Sequence, residues 1–204
     1  MTIQAEIAGI IPAEQLTPEV REALARLADE NALLRASLAE MRDRLGELEQ
    51  SADSDPLTAL PNQRQFLHQL ERIVSQAERH GTPAALLNIR IDGIAQINER
   101  HGRLAGDAAL RHAARLLHGL IRSGDVAART GGDRFGLILD HLDPDSAIDT
   151  GERIARYIAD HPVDLGGSRV ALAPVVAVAA ILHGDTVEDV LARAERNLER
   201  LGEF

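Results

Sequence analysis

Val126-Ala-Ala-Arg-Thr-Gly131-Gly132-Asp133-Arg134-Phe135-Gly-Leu-Ile-Leu139 reads as two short β runs, Val126 to Thr130 and Phe135 to Leu139, joined by a hairpin connection. Upstream, Ala84-Ala-Leu-Leu-Asn-Ile-Arg-Ile-Asp92 reads as a largely buried strand. Downstream, Val170 to Leu182 is an apolar run too β-rich to prefer a helix. Between these runs lie segments with helical spacing: Asn62 to Arg79, Ala105 to Arg122, Asp145 to Ala159 and Thr186 to Leu201. Their order is mixed, which predicts an α+β fold with one sheet covered by helices.

The N-terminal third has a different period. Thr17-Pro18-Glu19 is a helix start, with a hydroxyl N-cap, proline at the first helical position and an acid near the positive end. Apolar residues then follow in steps of four and three: Val20, Leu24, Leu27, Leu34, Leu38, Met41, Leu45 and Leu48. Asn31 is the one polar interruption. With 24, 31, 38 and 45 as a positions, Asn31 fixes the register of a parallel two-stranded coiled coil by pairing with its twin. Glu30 (g) then faces Arg35 (e) of a second copy, and Arg44 (g) faces Glu49 (e). The stripe is narrower than the apolar face of a helix packed on its own domain. A homodimer through residues 20–48 is therefore expected. Ser51-Ala-Asp-Ser54 reads as a linker. Residues 1–16, with Ile3, Ile7, Ile10 and Ile11 before Pro12, are a tail or a short partner-docking segment.

The chain has 204 residues, with 22 Lys+Arg against 32 Asp+Glu, and every one of the 22 is Arg. A net charge of −10 with 2% aromatic residues argues against nucleic-acid polymers, which need a basic field and stacking platforms. The absence of Cys excludes disulfides and thiolate sites. Eight His show no metal-ligand pair at i, i+4 backed by a carboxylate. No apolar run is long enough to span a membrane and no basic signal region opens the chain, so a cytoplasmic protein is expected.

Four blocks narrow the reading. Asp55-Pro-Leu-Thr-Ala-Leu-Pro-Asn-Gln-Arg-Gln-Phe66 is followed by Ile97-Asn98-Glu99 with Gly106-Asp107, by Arg122-Ser-Gly-Asp125, and by Gly131-Gly-Asp-Arg-Phe135. In this order and spacing, residues 55–204 resemble the GGDEF family of diguanylate cyclases. The resemblance implies a five-stranded central sheet wrapped by helices, related to nucleotide cyclases. It also implies condensation of two GTP into cyclic di-GMP by a dimer with two Mg²⁺ ions, hard cations that require oxygen donors.

The residues that chemistry needs are altered. In the family pattern Asp-Ile-Asp-x-Phe-Lys-x-Ile-Asn, Arg90 stands at the metal-binding Asp and Ala95 at the Lys. Arg134 replaces the second acid of the signature, leaving Asp133 as a residual ligand. The family's late Ser-Ile-Gly reads Val175-Val176-Ala177, and the second Lys position is read at Gly202. Arg stays charged in any protein, so a cation stands where the metal needs an anion. No cyclase activity and no required cofactor are expected; Mg²⁺ enters only with residual GTP binding.

Two further sets persist. Asn98 and Asp107 match the guanine-reading residues, although Asp107 after Gly106 also suits a helix N-cap. Arg122, Asp125 and Arg153 match the family's product-inhibition site, where guanidinium forks grip guanine edges and phosphates. The expected function is a cyclic di-GMP receptor without catalysis, dimerised by its coiled coil and acting through a protein signalling partner. The alternatives are a ligand-independent scaffold, and a weak cyclase or GTP-binding domain.

Overall fold

The computed structural model describes residues 17–202. The chain divides into two compact units at Ala52/Asp53. The tail 1–16 lies outside the described residues.

The first unit is helix α1, Pro18–Asp53. Its start is the expected one: the Thr17 hydroxyl accepts from the Val20 amide at 3.4 Å. Its end differs, because helix continues through 51–53 where the sequence predicts a linker. Val20, Leu27, Leu34, Leu38 and Met41 of the d and a positions are all exposed along it. Arg44, expected to reach across to a second copy, bonds Glu40 of its own helix at 2.8 Å.

The second unit runs α2 (Gln63–His80), β1 (Ala84–Asp92), α3 (Ile94–His101), α4 (Arg103–Leu120), β2 (Val126–Gly131) and β3 (Arg134–Asp140). It continues with α5 (Pro144–Asp160), β4 (Val163–Asp164), β5 (Arg169–Val170), β6 (Ala173–Ile181) and α6 (Val187–Gly202). Where five strands are expected, the central sheet holds four, in the order β2-β3-β1-β6, and β4 and β5 pair apart from it. Each strand of that ribbon is two residues long, too short to join the ladder. All neighbours in the central sheet are antiparallel.

β1 lies at the centre, and period-two alternation divides its side chains between two cores. Ala85, Leu87, Ile89 and Ile91 pack with residues of α3, α4 and α5. Ala84 and Leu86 pack with Phe66, Leu70 and Ile73 of α2 and with Val190 and Ala194 of α6. The same alternation makes Asn88 and Arg90 continue this second face, so it turns polar toward the end of β1. That change of character positions the site.

The free edge of β6 is closed by side chains from α6. Arg193 donates to the Ala180 carbonyl, and Asn197 donates to the Val178 carbonyl at 2.8 Å. Arg193 is itself held by both oxygens of Asp185, at 2.6 and 2.8 Å. Pro174 has no N–H to offer a further strand. An edge satisfied in this way is a poor template for another chain.

Candidate functional site: a charge-reversed cleft and an arginine turn

The hairpin turn brings the altered residues together. Gly131 at φ 140° and Gly132 at φ 53° take conformations that side chains resist, and Arg134 returns in register opposite Arg90 on β1. Two arginines directly across a ladder repel unless acids lie between them. The acids are present. Arg90 donates to both oxygens of Asp92, at 2.5 and 3.2 Å. Arg134 donates to both oxygens of Glu195, at 2.6 and 2.8 Å, and Asn88 donates to Glu195 at 3.1 Å. The Asp92 hydrogen bond holds Arg90 still more firmly in its charged form, with the charges of Asp133 and Glu195 adding to it. A cavity of about 390 Å³ opens beside these groups, lined by Gln63, Phe66 and Leu67 of α2, Asn88, Arg134 and Glu195.

Arg90, Asp133 and Arg134 were legible as a group from the sequence; Asp92, Asn88 and Glu195 were not. Glu195 lies inside this cluster, whereas Gly202, where the sequence reading put the second lysine position, is the last residue of α6. Ala95, at the other lysine position, is exposed on α3. The donor set does not fit Mg²⁺: two guanidinium groups stand among the acids, and no cluster of three acid or His ligands exists among the described residues.

The guanine-reading pair lies at the α3–α4 junction. Gly102, at φ 84°, opens α4, which places Asp107 in the second turn and removes the N-cap reading. The Asn98 Oδ1 is buried with no hydrogen-bond partner among the described residues. A Cβ on Gly106 would overlap that same oxygen. Gly106→Ala is therefore expected to destabilise by about 1–3 kcal/mol in urea melts. At an unconstrained helical position the same change would gain about 1 kcal/mol, so a stabilised variant would contradict this packing.

The third set sits at the end of α4. Arg122-Ser-Gly-Asp125 is a turn closed by the Asp125 amide on the Arg122 carbonyl at 3.0 Å. The Asp125 carboxylate accepts from the amides of Arg122 and Asp140, at 3.0 and 3.3 Å. Arg153 is exposed on α5. Among the described residues neither the Arg122 nor the Arg153 guanidinium has an ion-pair partner. Asp125 is thus part turn former, while both forks remain available to a ligand.

A residue pair that ties the blocks together was not anticipated. Asp55 accepts from the Thr58 amide and hydroxyl, at 2.8 and 2.7 Å, and from Arg129 at 3.1 Å. Arg129 also donates to the Gly132 carbonyl at 2.6 Å. The opening block is in this way fastened to the signature hairpin. Phe66 completes the contact by lying where a Cβ on Gly136 would have to go.

The family profile described as "Diguanylate cyclase, GGDEF domain" matches residues 52–203. The chain belongs to the GGDEF family. It is 31% identical over 161 residues to the response regulator PleD of Caulobacter vibrioides, covering 78% of this chain and 36% of that protein. The solved coiled coil and GGDEF domain of DgcB from Caulobacter crescentus, in complex with c-di-GMP, superposes with a TM-score of 0.79 at 26% identity. That match covers 88% of this chain and 93% of the DgcB chain. The diguanylate cyclase SiaD of Pseudomonas aeruginosa, solved with its activator SiaC, superposes at 0.73 and 26% identity, over 98% of this chain and 75% of that one. The chain spans between 12% and 49% of the length of the curated relatives it matches. No described helix is long and apolar enough to cross a membrane.

Proposed function

We propose that this GGDEF domain is a cyclic di-GMP receptor without cyclase activity, working in the cytoplasm as a parallel dimer joined through α1. The observation that carries the reading is the contrast between two sites. The cleft that should hold metals is lined by groups already in ion pairs, whereas among the described residues the Arg122 and Arg153 forks have no ion-pair partner. Such forks suit guanine edges and phosphates, and the Asp125 carboxylate suits a guanine amine. DgcB, with a coiled coil and the same fold, was solved with this dinucleotide. The exposed a/d stripe of α1 supports dimerisation, with Asn31 setting the register. Binding needs no cofactor. SiaD, solved with an activator protein, supports a protein partner for the output.

A second reading, residual binding of a guanine nucleotide, places it at Asn98 and Asp107, one on each side of the α3–α4 junction. Thermal unfolding separates the two. Cyclic di-GMP at about 100 times its dissociation constant is expected to add about 2.7 kcal/mol of stability, while GTP with Mg²⁺ leaves the midpoint unchanged. A shift with GTP and none with cyclic di-GMP would reverse the assignment.

A further inference from the structure

Helix α5 carries a half-exposed aromatic ring, Tyr157, one helical turn from Arg153. The buried stripe of α5, Ala147, Gly151, Ile154 and Ile158, divides its surface in two. Ile148 and Ala155 lie on the flank that borders Val176, Val178 and α6. With 3.6 residues per turn, Arg153 and Tyr157 fall together on the other flank, one turn apart. That flank faces α4: the His112 Nε2 lies 2.8 Å from the His161 carbonyl just past the end of α5. His161 in turn bonds the Tyr157 carbonyl through Nδ1 at 2.7 Å. The Tyr157 ring rests on the His161 imidazole, with centroids 4.0 Å apart and planes at 32°. It is still 38% exposed, whereas Phe66 and Phe135 are buried. Among the described residues it is the one Phe, Tyr or Trp ring that solvent reaches.

The heights match a stacked ligand. α4 and α5 flank an antiparallel hairpin and so run in opposite directions, with the His112–His161 contact as a common baseline. At 1.5 Å per residue, the backbone at Tyr157 stands roughly 6 Å above it, and Arg153 and Leu120, the last residue of α4, each about 12 Å, with Arg122 just past that end. The Tyr157 level therefore lies about 6 Å below that of Arg153 and the turn. Bases stack at about 3.4 Å per step, so one fits in that interval, or two with the upper one at the level of the arginines.

We propose that Tyr157 is the stacking floor of the cyclic di-GMP site, with its ring pre-oriented by His161 and a purine of the dinucleotide lying on its open face. Arg122, Asp125 and Arg153 hold the edges and phosphates above it. The inference rests on the receptor reading and adds a residue to it.

The chain contains one Tyr and no Trp, so its intrinsic emission reports this ring alone. Titration of the full chain with cyclic di-GMP is expected to quench that emission along the same isotherm as the calorimetric heat. Tyr157→Phe keeps the affinity, because stacking needs the ring and not the hydroxyl. Tyr157→Ala weakens binding roughly 5- to 150-fold, the range of a lost base–aromatic stack. Heat with unchanged emission, or Tyr157→Ala binding as tightly as wild type, overturns the stacking role and leaves the receptor reading standing. Absence of heat in the wild type overturns both. If the Ala variant fails to fold, the wild-type emission titration decides alone.

Discussion

Asp55→Ala is expected to lower the unfolding free energy by about 3 kcal/mol or more, the scale of breaking a largely buried ion pair from one side. The side chains of Asp55 and Arg129 are 16% and 14% exposed. Removing the carboxylate strands the guanidinium and releases the Thr58 turn as well. Urea melts read the loss directly, and the thermal midpoint should fall by roughly 6–12 °C for a domain of this size. Arg129→Lys, with Asp55 kept, is expected to lose only part as much, because one ammonium keeps the charge pair but cannot serve the Asp55 carboxylate and the Gly132 carbonyl in the same fork geometry. The pH dependence follows the same pair. Burial pushes the Asp55 carboxyl up, but the bonds from Thr58 and Arg129 outweigh it and hold it below its ordinary 3.8. A depressed folded value means that the stabilisation is complete above pH 3.8 and is lost as pH falls below it. Asp185, held down first by its hydrogen bond from Arg193, adds to the same acid limb. An Asp55→Ala melt indistinguishable from wild type would refute the fastening of the opening block to the hairpin.

Incubation with GTP and Mg²⁺ is expected to yield no cyclic di-GMP, a rate at least about 10³-fold below that of a domain with the family's acids. The magnitude comes from the several kcal/mol that a bound metal contributes to charge stabilisation, at tenfold per 1.36 kcal/mol. Arg90 and Arg134 put two guanidinium groups in the cleft, and Asp92 and Glu195 are already committed to them. Restoring one acid is insufficient: Arg90→Asp leaves Arg134 and Glu195 paired across the cleft. Product formed by the wild-type chain would show that the ion pairs open to admit metal, contrary to this account.

The parts legible in the sequence are those whose cause is local. Ala84–Asp92 opens on four apolar residues and then alternates with Asn88, Arg90 and Asp92, and it is β1 residue for residue. The glycines of Gly131-Gly132-Asp133-Arg134 mark the hairpin because only they tolerate its backbone. Helix α3 gave no periodic signal: it has eight residues and starts after Gly93 in the left-handed region. The β4–β5 ribbon is shorter than any pattern can reveal. Arg90 and Arg134 could be read as misfits at acidic positions, but what stabilises them could not. Glu195 lies 61 residues from Arg134 in the chain, on an amphipathic helix where an acid looks like ordinary solvated surface. The same holds for Tyr157, whose ring partner His161 is tied to His112 of another helix.

The most direct measurement is a calorimetric titration of cyclic di-GMP into the full chain and into Arg122→Ala. The fork at Arg122 has no competing partner among the described residues, and its loss removes charge-assisted bonds of about 1.5–3 kcal/mol each. Saturable heat in the wild type, weakened at least about tenfold in Arg122→Ala, is the result predicted. Absence of heat in the wild type, or equal binding by the variant, would contradict the receptor assignment.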